Sequence, residues 1–231
     1  MPEKKSRAQS RAEIERRIVE LGREHLARDG AAGLSLRAIA RDMNMVSSAV
    51  YRYVATRDDL LTLLLIDSYQ ELADTVHAAL DDIDPDSHRQ RLMLACKAFR
   101  SWAVAEPARY ALLYGSPVPG YRAPAEQTVA PGTAVVALLL GELAAAHAAG
   151  VTADPPPEWS APELAPAFAA IRDEFAVALP DWLFARAVGL WSGLVGAVNL
   201  EVFGQYGTDT FDRPDLLFEL LMEQLLGPVL P

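Results

Sequence analysis

Residues 34–61 read LSLRAIARDMNMVSSAVYRYVATRDDLL, and the spacing of apolar residues divides the stretch into two short helices across a tight turn. Ser35 can cap the first helix by accepting a backbone N–H two or three residues on. Leu36, Ile39, Ala40 and Met43 then fall at i, i+3, i+4 and i+7 on one apolar face. Asn44 stands where that helix must end, and asparagine is one of the few side chains that tolerates left-handed backbone. The next helix, starting at Ser47 or Ser48, is expected to turn Val46, Ala49, Val50 and Val54 toward its neighbour. Ser47, Ser48, Tyr51, Arg52 and Tyr53 then face outward. Hydroxyls and a guanidinium on one outward face suit phosphate oxygens and base edges. The pattern is a helix-turn-helix, and double-stranded DNA is the partner to expect.

On the N-terminal side, Ile14, Ile18, Leu21 and His25 or Leu26 give a supporting helix its buried stripe, which Gly30 and Gly33 then break. On the C-terminal side, the Thr56 hydroxyl and the Asp59 carboxylate can form a capping box for a long connecting helix from Arg57 to Leu80. Leu60, Leu61, Leu64, Leu65, Tyr69, Leu72, Val76 and Leu80 recur along it at helical spacing.

From about Ala12 to Leu65 these residues resemble the N-terminal DNA-binding domain of TetR-family transcriptional regulators. The resemblance implies a homodimer that places two recognition helices in successive major grooves of a palindromic operator, about 34 to 36 Å apart. It also implies that a small-molecule effector in the body lowers operator affinity by binding one conformation better, with the connecting helix as lever. Arg57 stands where the family has a lysine on a phosphate. Two positions depart from the family pattern. Asn44 replaces a glycine, and Val46 replaces a serine or threonine that would cap the recognition helix. Either Ser47 caps a helix starting one residue later, or water and DNA phosphate cap its end. By chemistry, Arg37 and Arg52 are the candidates for forked contacts to guanine O6 and N7. Tyr51, Tyr53, Ser47, Ser48 and Arg57 are better suited to phosphates. The plainer alternatives are a solvated helix charge for Arg37 and packing against the connecting helix for Tyr53.

Charge is unevenly divided along the 231 residues. Residues 1–60 carry 12 Lys+Arg against 9 Asp+Glu, and the remainder carries 9 against 22, within a net charge of −10. A body this acidic repels DNA, so the basic end must face the duplex. Lys4, Lys5, Arg7 and Arg11 form a basic N-terminal stretch that is expected to be a mobile arm, either merely solvated or touching DNA. Cys96 is the only cysteine, which rules out an internal disulfide. The first ten residues contain no apolar signal-peptide core, and Ala134 to Ala149 is too short to span a bilayer and contains Glu142 and His147. The cytoplasm is the expected location, with no membrane partner.

No strand alternation competes anywhere, so the fold expected is all-α: a helix-turn-helix domain in residues 1–56 and a helical regulatory and dimerisation domain in 57–231. Asp86 or Ser87 can cap a helix through Leu92, Cys96, Phe99 and Trp102, and Pro107 starts a short one. The proline-rich stretches 114–132 and 150–166 read as loops or interrupted turns. Residues 180–205 form a long, nearly uncharged helix with Gly189, Gly193 and Gly196 spaced for close approach of another helix. Residues 214–226 form a leucine-rich one. The resemblance makes this pair a four-helix dimer interface; the sequence alone also allows a buried core.

Trp102, Tyr110, Tyr114, Tyr121, Trp159, Phe168, Trp191 and Asn199 are the candidates to line an effector cavity, which with so few charges would favour an apolar or aromatic molecule. The alternative is that each fills the core. The run YALLYGSPVPGY, residues 110–121, resembles a segment of one C-terminal subgroup of the family. Catalysis is not expected. The histidines at 25, 77, 88 and 147 form no metal-type pair, Ser116 lacks a nucleophile-elbow pattern, and no glycine-rich phosphate loop follows a strand. No cofactor or metal is implied. A DNA-binding dimer that answers to a protein partner, or to no effector, is the alternative within the same class.

Overall fold

The period of 3.6 residues dominates the whole chain. In the computed structural model, which describes residues 7–157, 159–207 and 209–231, every regular element among the described residues is helical. The order is α1 (Arg7–Gly33), α2 (Leu36–Asp42), α3 (Ser47–Val50), α4 (Arg57–Ala78), α5 (His88–Ala105), α6 (Pro107–Tyr114), α7 (Ala125–Ala148), a 3-10 turn at Pro162–Leu164, α8 (Ala165–Phe175), α9 (Asp181–Val202) and α10 (Pro214–Leu226). Lys4 and Lys5 of the expected arm lie outside the described residues. Arg7 and Arg11 are not in a loose arm but in α1, where Arg11 pairs with Glu15 one turn on.

The chain divides into two compact units. One takes the chain through Glu71 together with Glu106–Gly132; the other takes Leu72–Ala105 and Thr133–Pro231. The expected border at 56/57 separates the helix-turn-helix from the connecting helix α4, whereas the first compact unit is larger because it needs part of α4, and α6, to close its core.

In the first unit, Ile18, Leu21 and Leu26 of α1, Leu36 and Ile39 of α2, Val50 and Val54, and Leu60, Leu61 and Leu64 of α4 form one buried cluster. Ala108, Leu112, Val118 and Tyr121 pack against it. α1 lies along α6, and an ionic cluster joins them to α4. Arg109, only 2% exposed, donates to Glu71 Oε1 at 2.6 Å and to Ser68 Oγ at 3.1 Å. Arg23 makes a forked pair with Asp67 at 2.7 and 2.6 Å and reaches Glu71 at 3.0 Å. The hydrogen bond to Asp67 is the main cause of the raised Arg23 pKa.

In the second unit, α5, α9 and α10 pack together around Leu92, Phe99, Leu190, Leu194, Phe218, Met222 and Leu226. Ion pairs ring this core: α5 sends Arg91 to Glu142 on α7 at 2.7 Å, Arg100 to Glu201 on α9, and Lys97 to Glu219 on α10 at 2.8 Å. A Cβ on Gly193 would stand 2.4 Å from Leu225 Cδ1, so this glycine is what lets α10 lie close on α9.

Two elements differ from the sequence expectation. α7 starts at Ala125, inside the stretch expected to be a loop, because Pro131 is taken up within the helix. Its missing N–H strands the carbonyl of Gln127, and Gln127 is exposed, so water can serve that group. With this extension α7, like α9, has the length and composition to cross a bilayer. Within the second unit both carry ion-paired carboxylates, Glu142 and Glu201. The second difference is α8, which begins at Ala165, inside the second proline-rich stretch, with Pro166 in its first turn, and ends at Ala176 in left-handed conformation (φ 52°).

Candidate nucleic-acid interface

The first helix of the motif begins as its sequence dictates, with Ser35 Oγ accepting the Ala38 N–H at 3.4 Å. It ends in a Schellman motif: Asn44 N donates to Arg41 O and Met45 N to Ala40 O, both at 2.9 Å, with Asn44 at φ 53°. The asparagine thus does the work of a glycine. His25, on α1 and 1% exposed, donates from Nε2 to Asp42 Oδ2 at 2.6 Å, tying the end of α2 to the supporting helix.

α3 has only four regular residues, after which the backbone tightens through Tyr53 N to Val50 O at 2.9 Å. Val46 is its N-cap, extended at φ −69° and ψ 139°, and no side chain caps the end, so Ser47 does not take that role. The sequence pattern places Val46 against the neighbouring helix beside Val50. Instead it is 71% exposed while Val50 is fully buried. The i, i+4 rule presumes that both residues are helical, and the extended ψ of Val46 takes it off the shared face.

Tyr51, Arg52 and Ser48 are exposed and Ser47 is half-buried. Arg37 is exposed at the start of α2, and Arg41, four residues on, shares its face. Arg37, Arg41 and Arg52 make no ion pair among the described residues, whereas Arg11, Arg17, Arg23 and Arg28 are each paired. Arg41 is absent from the sequence-derived candidates, although its spacing from Arg37 is a signal that could have found it.

Two of the expected contact residues carry structural duties. Arg57 donates from Nη2 to the carbonyl of Ala31 at 2.8 Å, where α1 gives way to α2. Tyr53 is half-buried against the hydrophobic cluster, with the Arg11 guanidinium 5.6 Å over its ring. The capping box closes as expected: Thr56 N donates to Asp59 Oδ2 at 2.9 Å and Asp59 N to Thr56 Oγ1 at 3.1 Å. Between α2 and α4, Ser35, Arg37, Tyr51, Thr56 and Arg57 line a shallow depression of about 380 Å³, three hydroxyls and two guanidiniums around a space that admits a phosphate.

The aromatic residues expected around an effector are dispersed. In the first unit Tyr110 packs on Tyr114 (ring centroids 5.2 Å apart) and Tyr114 meets Tyr69 edge-on at 6.2 Å. Burial raises the phenol pKa of both Tyr110 and Tyr114, so these groups stay neutral. Tyr121 donates to Thr62 Oγ1 at 2.9 Å, since the Thr62 proton is used on Asp58 O. In the second unit Trp102 is buried on α5, Trp159 is exposed, Asn199 is half-buried on α9, and Phe168 packs on Phe184. Trp191 packs edge-on against Phe99 and also lines an apolar cavity of about 180 Å³ with Val136, Leu139, Leu140, Ile171, Phe184, Ala187 and Val188. Among the described residues no cluster of His, Cys, Asp and Glu is arranged to hold a metal ion.

A helix-turn-helix that turns outward Arg37, Arg41 and Arg52, without an ion pair among the described residues, on an acidic helical chain defines a DNA-binding transcriptional regulator. Residues 92–225 match the family model of the tetracyclin repressor-like C-terminal domain. The chain is 50% identical over 216 residues to the HTH-type transcriptional regulators Mb1846 of Mycobacterium bovis and Rv1816 of Mycobacterium tuberculosis, covering 92% of this chain and 91% of each relative. The crystal structure of SCO4313, described as a regulatory protein, superposes with a TM-score of 0.77 at 33% identity, covering 97% of this chain and all of that one. The chain belongs to the TetR family, whose members are dimeric DNA-binding regulators and not enzymes.

Proposed function

We propose that this regulator is a homodimeric repressor that binds a palindromic operator in the cytoplasm and is released by a small apolar ligand. The observation that carries the DNA half is the trio Arg37, Arg41 and Arg52, exposed around α2 and α3 and without an ion pair among the described residues. Arg37 and Arg52 read guanines, while Ser47, Ser48, Tyr51, Arg41 and the depression beside Arg57 hold phosphates. Tyr53 acts by fixing the recognition helix rather than by touching the duplex.

Dimerisation uses α9 and α10. Their outer surface exposes Val188, Leu200, Phe203, Leu216 and Leu220, and Gly189 and Gly196 have open space where a Cβ would be. A groove of about 560 Å³ runs between them, lined by Gly196, Leu200, Phe211, Leu217, Leu221 and Leu225. Leaving so much apolar surface in water is costly, and a second copy of the same pair removes it.

The effector site is the cavity against Trp191. At about 180 Å³ it is close to the ~150 Å³ apolar cavities that take up benzene, so a single-ring or short-chain apolar molecule is the ligand class. Footprinting on DNA flanking the chain's own gene, repeated with a panel of small apolar compounds, tests both halves. Protection of a palindrome that one compound abolishes is expected. Absence of protection even at low salt would overturn the operator reading.

A further inference from the structure

We infer that Val46 is a specificity residue that reads the C5-methyl group of a thymine in each operator half-site; the inference rests on the operator reading above. Val46 is the most exposed large apolar side chain among the described residues, at 71%. It stands at the N-cap of the recognition helix, between the turn at Asn44 and the outward Ser48, Tyr51 and Arg52.

The free protein gains nothing from a valine there. Serine, threonine or aspartate at an extended N-cap would satisfy a free N–H of α3, and here none is satisfied by a side chain. An isopropyl group left in water adds no burial in return. Both deficits fall on a single residue, two to six positions before the exposed Ser48, Tyr51 and Arg52. What an isopropyl group offers is apolar contact, and the major-groove edge of DNA presents one apolar feature, the thymine methyl. The valine therefore serves the bound state, adding selection for thymine against cytosine beside the positions read by arginine.

The test uses the full chain and the palindrome found by footprinting, with each thymine replaced singly by deoxyuridine, which removes only the methyl. Wild type, Val46→Ser and the isosteric Val46→Thr are compared by DNA-binding titration and thermal melting. In wild type, one symmetry-related thymine is expected to lose about four-fold in affinity per half-site on methyl removal, the worth of one methyl withdrawn from water. Val46→Thr, which keeps a methyl group, retains a penalty there. Val46→Ser shows none, and it melts at or above the wild-type temperature because it gains a cap. Equal deoxyuridine penalties in wild type and Val46→Ser, or a lower melting temperature for the serine variant, would overturn the role of Val46 alone. Failure of the wild-type chain to select any palindrome would instead overturn the operator reading, and this inference with it.

Discussion

The two compact units leave different groups on their surfaces. The first sets the buried Arg109 against Glu71 and Ser68 and leaves Arg37, Arg41 and Arg52 bare to water; the second closes Arg91–Glu142 and Arg100–Glu201 largely away from solvent, keeps Lys97–Glu219 near the surface, and leaves leucine, valine and phenylalanine bare on α9 and α10. In each case the exposed groups are those the isolated chain profits from least. What a unit leaves unsatisfied on its surface names the chemistry of its partner, phosphate and base edges for one and a second apolar face for the other.

The largest expected difference is between removing a buried charge and removing an exposed one. Arg109→Met leaves Glu71 and Ser68 without their buried partner and is expected to destabilise the protein by about 3 kcal/mol in denaturant titration. Lys97→Ala, whose pair with Glu219 is well exposed, is expected to cost less than about 1 kcal/mol. Comparable costs would erase the distinction. Next in size, Leu220→Glu places a charge on a side chain that is 56% exposed in the single chain. Sedimentation is expected to show self-association weakened by at least about 2 kcal/mol, with the helical content of the chain retained. A variant that dimerises normally would remove α10 from the interface.

Smaller effects test the head. Arg52→Ala is expected to weaken operator binding by about 1 to 3 kcal/mol and to relax preference at one base position; a uniform loss over all sequences would make Arg52 a phosphate contact. Ser35→Ala removes the cap of α2 and is expected to cost about 0.5 to 1 kcal/mol of stability, given the long 3.4 Å hydrogen bond. Least of all, Cys96 is fully buried and its thiol is pushed up to about 12 by burial. Thiol reagents at neutral pH are expected to label it only after unfolding.

Features set by neighbours along the chain were legible in the sequence. The cap at Ser35, the left-handed turn at Asn44, the capping box at Thr56 and Asp59, and the extents of α9 and α10 each depend on residues within a few positions. Where a local rule met a tertiary exception, the sequence misled. Pro131 continues a helix because the carbonyl it strands belongs to an exposed residue, and Val46 leaves the face it shares in a helical projection because its backbone is not helical. Arg109 and Ser68 are 41 residues apart, so nothing local could announce their contact. The effector candidates are dispersed for the same reason. Aromatic residues fill cores and cavities alike, and of the eight named, Trp191 lines the apolar cavity of the second unit while Phe168 backs it through Phe184.

The most direct test of two basic heads held in register by one apolar body is a hydroxyl-radical footprint of the operator with wild type and Leu220→Glu at equal concentration. Wild type is expected to give two protected patches about one helical turn apart, roughly 10 to 10.5 base pairs between centres. The variant is expected to lose both together while remaining folded. A single protected patch for wild type, or an unchanged pair for the variant, would contradict the dimeric reading.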